Sequence, residues 1–308
     1  MPNTVKLVQS ADGTRIYADA VGEPANPAVV FAHGFFCSAA AFDLIFSNPE
    51  NSKEFFLVRY DVRGHGRSGR PTSPEGYSSQ RFAEDFHSVC KAFAVKKPIF
   101  VGWSMGARII TDIATYLPFD TLRAAVCLAG PPYVDPKTQA TISLTFNSIV
   151  SVFASSNDIA NQQKANIAAI RLLFLKNPVP SASFLQETIA AIADGADFVR
   201  DNQDVAWKTR CEFVGFAMHM LPQDRAFYGL RQQDNARVFK LLKGGFPILL
   251  VHGTHDAYIS SEKLVETLRP EIANLKVKMI EGASHASFVE KPDEVMKAIM
   301  EFAKGIAE

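Results

Sequence analysis

Ser104 stands between two glycines in Gly102-Trp103-Ser104-Met105-Gly106. This G-x-S-x-G pattern follows the apolar run Ile99-Phe100-Val101 and precedes a helical pattern beginning near Ala107. A strand–turn–helix that tight leaves no room for side chains at the glycines, and it pushes the serine hydroxyl out at the carboxyl end of a sheet. The helix that follows presents its N-terminus to any oxyanion formed nearby. The chemistry implied is nucleophilic attack on an acyl carbon. A serine hydroxyl is a poor nucleophile alone and needs a base, here a histidine steered by an acid.

In this kind of strand–turn–helix site the chain order is serine, acid, histidine. His285 sits in Glu281-Gly282-Ala283-Ser284-His285, just past the apolar run Val277 to Ile280. A loop at the carboxyl end of a strand is where ligand chemistry gathers in an open α/β sheet, so His285 is the candidate base. Asp256 follows Val251-His252-Gly253-Thr254-His255, directly after another apolar run, and is the candidate acid. Its carboxylate would fix the tautomer of His285 and stabilise the imidazolium formed during attack. Asp135, after the run Ala125 to Leu128, is the alternative acid. His252 still belongs to a strand end and is read as structural. His255 is a weak competitor for the base, and His219 is badly ordered for that role.

A negative oxygen in the transition state needs preorganised donors. The backbone N–H of Met105, at the helix start, is expected to supply one. The backbone N–H of Phe35, in His33-Gly34-Phe35-Phe36, is expected to supply the other, with Gly34 letting the chain turn inward. His33 is read as an anchor of that loop. The run Asp61-Val62-Arg63-Gly64-His65-Gly66-Arg67-Ser68 does not match a phosphate-binding G-x-x-x-x-G-K-[ST] and reads as a hydrogen-bonded support for the serine turn.

These loops need strands to carry them. Val5 to Val8 and Arg15 to Ala18 flank Asp12-Gly13 and read as a hairpin. Val29 to Ala32, Phe55 to Tyr60, Ile99 to Val101, Ala125 to Leu128, Ile248 to Val251 and Val277 to Ile280 are continuous apolar runs, the form of parallel strands covered on both faces. Phe82, Phe86, Val89, Cys90 and Phe93 make one helical stripe, and Ile109, Ile110, Ile113 and Leu117 make a second that Pro118 ends. Pro292-Asp293-Glu294 opens a last helix. From Pro131 to Pro222 helical segments replace the alternation, among them Ile167 to Leu173 and Leu185 to Ile192. The expected organisation is one sheet domain from residues 1–130 and 223–308, interrupted by a helical cap over 131–222. Phe36, Trp103, Phe146, Phe216 and Met220 are the candidate pocket residues, with Phe174 another apolar cap side chain.

Composition bounds the partners. Among 308 residues, 32 Lys and Arg balance 32 Asp and Glu, which carries no electrostatic signature for nucleic acid or an anionic membrane. A hydrophobic share of 47% excludes intrinsic disorder, and the 24 Phe read mainly as core. Cys37, Cys90, Cys127 and Cys211 have no metal-ligand spacing and read as free thiols, so neither metal nor cofactor is expected. Met1 to Ser10 lacks the form of a secretory leader, and no apolar stretch is long enough to cross a bilayer; a cytoplasmic enzyme is expected.

On His33-Gly34-Phe35, the Asp61 to Gly69 loop, Gly102 to Gly106, Gly253 to Asp256 and His285, the sequence resembles the α/β-hydrolase family. The likeness is to the subgroup of capped esterases, lactonases and cofactor-free perhydrolases. The resemblance implies an α/β fold with an eight-stranded, mostly parallel sheet flanked by helices, with the first hairpin at one edge. Relatives with an elbow aspartate, the dehalogenases and epoxide hydrolases, differ at Ser104. The expected activity is hydrolysis of small, neutral, apolar carboxylic esters or lactones through an acyl-enzyme. C–C bond hydrolysis or lyase chemistry on the same triad, or a receptor-like protein with little turnover, are the alternatives, and perhydrolysis is a possible side activity. The sequence leaves oligomeric state open.

Overall fold

Each apolar run of the sequence is a strand of one eight-stranded sheet. The structure, a computed structural model, describes residues 4–133, 135–143, 173–174 and 231–306. The strands are β1 (Thr4–Gln9), β2 (Arg15–Val21), β3 (Ala28–Ala32), β4 (Phe56–Tyr60), β5 (Ile99–Trp103), β6 (Ala124–Leu128), β7 (Ile248–Gly253) and β8 (Leu275–Ile280). They lie in the order β1-β2-β4-β3-β5-β6-β7-β8. β2 pairs antiparallel with both β1 and β4, and every other pairing is parallel. The first hairpin therefore forms one edge.

Helices cover both faces. They are α1 (Asp43–Ser47), α2 (Pro49–Glu54), α3 (Ser79–Ala92), α4 (Ile109–Tyr116), α5 (Pro136–Ile142), α6 (Ala236–Lys243), α7 (Ser261–Leu268), α8 (Ser287–Glu290) and α9 (Pro292–Lys304). Alternate strand residues feed two cores. Val29, Phe31, Val101, Val126 and Val251 pack with Phe42 and Phe46 near α1 and with Val295, Ile299 and Phe302 of α9. Val30, Phe100, Ala125 and Leu250 pack on the opposite face with Phe82 and Phe86 of α3, Ile110 and Ile113 of α4, and Leu242 of α6. Side chains alternate across a strand, so a strand buried on both faces must be apolar throughout.

β8 departs from that reading. It is the far edge strand, and Lys276 and Lys278 are exposed while Val277 and Met279 are half-buried. Its run alternates because one face is only partly covered, and edge lysines discourage pairing with a second sheet. Cys37, Cys90 and Cys127 are buried free thiols. Among the described residues no helix is long and apolar enough to cross a membrane.

Asp135 is the N-cap of α5. Its Oδ1 accepts the Thr138 N–H at 2.9 Å and its Oδ2 accepts the Thr138 hydroxyl at 2.7 Å. Both carboxylate oxygens are therefore spent on starting a helix.

Candidate active site

The site forms at the carboxyl ends of β3, β5, β7 and β8, with β6 between β5 and β7. Ser104 follows β5 with φ of +52°, in the left-handed region that side chains avoid. The strain is held by close packing. A Cβ on Gly102 would lie 2.4 Å from Ala107 Cα, and one on Gly106 would lie 2.4 Å from the Ala32 carbonyl oxygen. The α-helix expected from Ala107 begins later. Ser104–Arg108 forms a 3-10 helix and the α-helix starts at Ile109. The tighter winding lets the chain turn off the strand within one residue.

The loop after β3 lies against this turn. A Cβ on Gly34 would meet the Trp103 ring at 3.0 Å, a tight contact that glycine relieves. The left-handed residue of the loop is Phe36, at φ +63°, and not Gly34. Its ring is buried and lies 4.2 Å from that of Phe35, centroid to centroid. Burial of that ring offsets a backbone strain of about 1–2 kcal/mol.

His33 is buried with both nitrogens committed. Its Nδ1–H donates to the Gly34 carbonyl at 2.8 Å, and its Nε2 accepts the Val62 N–H at 2.9 Å. It thus ties the β3 loop to the loop after β4. Asp61 completes the tie: its Oδ1 accepts the Ala39 N–H and its Oδ2 the Arg67 N–H, each at 2.7 Å. Arg63 is clamped by Asp85 through Nε at 2.7 Å and Nη2 at 2.6 Å. The Asp61–Ser68 segment is a scaffold of charge-assisted hydrogen bonds that fixes the neighbouring loop.

Two further loops meet across the sheet end. His285 Nδ1 lies 2.7 Å from Asp256 Oδ2. The other Asp256 oxygen accepts the N–H groups of Tyr258 at 2.7 Å and Ile259 at 3.0 Å. Burial works to raise the Asp256 pKa, but the facing His285 and His252 together hold it below the usual carboxylate range. Gly253 makes this meeting possible, because a Cβ there would lie 2.3 Å from the carbonyl oxygens of Ala283 and Ser284. The His255 N–H donates to Ala283 O at 2.9 Å and stitches the two loops together, while its side chain is exposed.

Trp103 links this pair to the serine turn. Its indole N–H donates to the His285 carbonyl at 3.0 Å, and its ring packs on Phe288 at 4.9 Å. The Tyr258 ring lies 4.9 Å from that of His285. The structure thus gathers the His285–Asp256 pair and the loop that begins at Gly34 around Trp103, the residue before Ser104. Phe174 is buried in the core. Phe146, Phe216, Met220 and His219, with the expected segment Leu185 to Ile192 and Cys211, lie outside the described residues, as does Ile167 to Leu172.

Three contacts were not anticipated from the sequence. His252 Nε2 reaches Asp256 Oδ2 at 2.9 Å, and its spacing of four from the acid was the available signal. Ser284 donates its N–H to Glu290 Oε2 at 2.7 Å. The Leu173 carbonyl accepts from the His285 loop, and no local pattern announces a contact across 111 residues.

Comparison with known proteins places this geometry. The profile of the Alpha/beta hydrolase family matches residues 29–298. A stretch of 96 residues is 38% identical to probable oxidoreductase EphD of Mycobacterium tuberculosis, a match covering 31% of this chain and only 16% of that protein. Over 302 residues the chain is 24% identical to 2-(acetamidomethylene)succinate hydrolase of Mesorhizobium japonicum, covering 96% of this chain and 95% of the relative. The crystal structure of an esterase from Rhodococcus sp. shares the fold with a TM-score of 0.78 at 22% identity, covering 98% of this chain and 99% of that one. The matched profile runs from β3 into α9 and takes in the serine turn and both facing loops, so the chain belongs to the alpha/beta hydrolase family.

Proposed function

We propose that this protein is a serine hydrolase of small, neutral, apolar carboxylic esters or lactones. The observation that carries the reading is the 2.7 Å contact between His285 Nδ1 and Asp256 Oδ2, in loops packed beside the Ser104 turn. Ser104 Oγ attacks the carbonyl carbon while His285 Nε2 takes its proton. Asp256 holds the imidazole in the Nδ1–H tautomer and stabilises the imidazolium. The backbone N–H groups of Phe35 and Met105 receive the oxyanion. Collapse releases the alcohol, protonated by His285, and leaves an acyl group on Ser104. A water deprotonated by His285 then releases the acid.

The surroundings support the proposed substrate class. Phe35, Phe36 and Tyr258 give the site an apolar wall, and a pocket of that kind favours uncharged acyl groups. The segment 131–222 is proposed as a helical cap that roofs the pocket, with Phe146, Phe216 and Met220 among its lining. The names of the Mesorhizobium hydrolase and the Rhodococcus esterase agree with hydrolysis of a small molecule.

Ser104→Ala tests the reading. Its circular dichroism and thermal midpoint should match the parent, while turnover of p-nitrophenyl butyrate drops at least about 10³-fold. Undiminished turnover in that variant would overturn it.

A further inference from the structure

The acid of the site is shared by two histidines. His252, at the end of β7, is fully buried, and its Nε2 lies 2.9 Å from Asp256 Oδ2. His285 Nδ1 approaches the same oxygen at 2.7 Å. The other polar neighbour of His252 Nε2 is the Ile259 carbonyl at 3.3 Å. Both neighbours are acceptors, so the proton of His252 belongs on Nε2. Its Nδ1 is buried and has no hydrogen-bond partner. A lone pair is the cheaper occupant there, since an N–H would be a buried donor with nothing to accept it.

The Asp256 carboxylate thus takes three hydrogen bonds and faces a fourth N–H at close range. Tyr258 and Ile259 N–H fill Oδ1, His285 takes Oδ2, and His252 Nε2–H stands 2.9 Å from that same oxygen, its one proton shared between it and the Ile259 carbonyl. A carboxylate held from three elements has one orientation. It also offers His285 less charge than one bonded to His285 alone.

We propose that His252 is a positioning residue for the Asp256–His285 pair. Its Nε2–H fixes the carboxylate and draws off part of its charge, and so sets how strongly Asp256 stabilises the imidazolium of His285. The inference rests on the serine-hydrolase reading above. Tyr258 faces His285, and Cys37, in the β3 loop, faces Tyr258; burial pushes both of their pKa values up, so neither loses its proton between pH 5 and 9. Glu290 of α8 bonds Ser284, the neighbour of His285, and is common to parent and variants.

The test compares kcat/KM against pH for p-nitrophenyl butyrate in the parent, His252→Ala and His252→Gln. In His252→Ala the carboxylate serves His285 alone, and the acid limb should move up by about half to one pH unit. The kcat should fall about tenfold, the rate equivalent of one charge-assisted hydrogen bond, with KM unchanged. His252→Gln restores an N–H donor and should return both toward the parent. An unmoved acid limb, or an effect on KM alone, would overturn the proposal. A second measurement uses the parent only: ¹⁵N spectra should show His252 protonated at Nε2, and protonation at Nδ1 instead would overturn it even if the variants fail to fold. Those spectra do not depend on Ser104. Failure of the nucleophile assignment is therefore distinguishable from failure of this one.

Discussion

The Leu173 carbonyl oxygen lies 2.5 Å from Ser284 Oγ and also accepts the Ala286 N–H at 3.3 Å. One carbonyl from the chain between β6 and β7 thus brackets His285 on both sides. Ser284 Oγ also stands 2.9 Å from Glu290 Oε2, and its single proton serves one acceptor at a time. Ser284→Ala should cost about 1 kcal/mol of stability, read as a lower urea midpoint. It should also lower kcat severalfold, since one flank of His285 loses its tether. An unchanged kcat would mean that the bracket holds the fold and not the base.

Gly253→Ala should separate the two loops that bring Asp256 to His285. The added methyl would sit 2.3 Å from two backbone oxygens, which cannot yield as a flexible side chain does. We expect kcat to fall by at least about tenfold, with a thermal midpoint several degrees lower. Parent-like kinetics would show that the loops reach each other without this close approach.

Ala94→Gly should stabilise the protein. Ala94 is exposed, at φ +55°, immediately past the end of α3. The Val95 N–H donates to Cys90 O at 2.8 Å and the Ala94 N–H to Lys91 O at 3.2 Å, the paired bonds of a Schellman cap whose left-handed position favours glycine. The gain should be about 1 kcal/mol, or roughly 2 °C in Tm by calorimetry. A loss of stability would contradict the assignment.

Acid should weaken the fold through His65 and His33. Burial opposes charge on both rings, and the neighbouring His33 adds to the effect on His65, which falls from 6.5 to about 3. An unfolded histidine binds its proton near 6.5, so between that pH and about 3 the unfolded chain holds more protons. Stability is therefore fully present above about pH 7 and declines as pH falls. The urea midpoint should drop from pH 7 to pH 5, and His65→Gln should flatten that slope. A midpoint independent of pH over this range would contradict the burial of uncharged rings.

The strands were legible because burial on two faces demands uninterrupted apolar residues, as in Val29 to Ala32 and Ile248 to Val251. The proximity of Asp256 and His285 was legible from chain order, since strand-end loops of one parallel sheet must meet. What could not be read was contact that depends on fine geometry. Gly34 was expected to bend the loop, yet it makes room for Trp103, and Phe36 carries the left-handed turn. His252 is an ordinary strand-end histidine until the loop folds Asp256 back onto it. The Leu173 bracket was invisible because a backbone carbonyl has no sequence signature.

β6 and β7 are hydrogen-bonded neighbours, yet residues 129–247 separate them in the chain. Such an excursion leaves and re-enters the sheet at adjacent points. The entropy of closing it grows only with the logarithm of its length. Among its described residues, Gly130 packs on Ser104, Ser143 bridges to Ile259, Gln233 bonds the Arg108 carbonyl and Leu173 brackets His285. On the function proposed above, length changes away from those contacts would alter which substrates are admitted before they alter what is done to them, and the contacts themselves are the seam between the two.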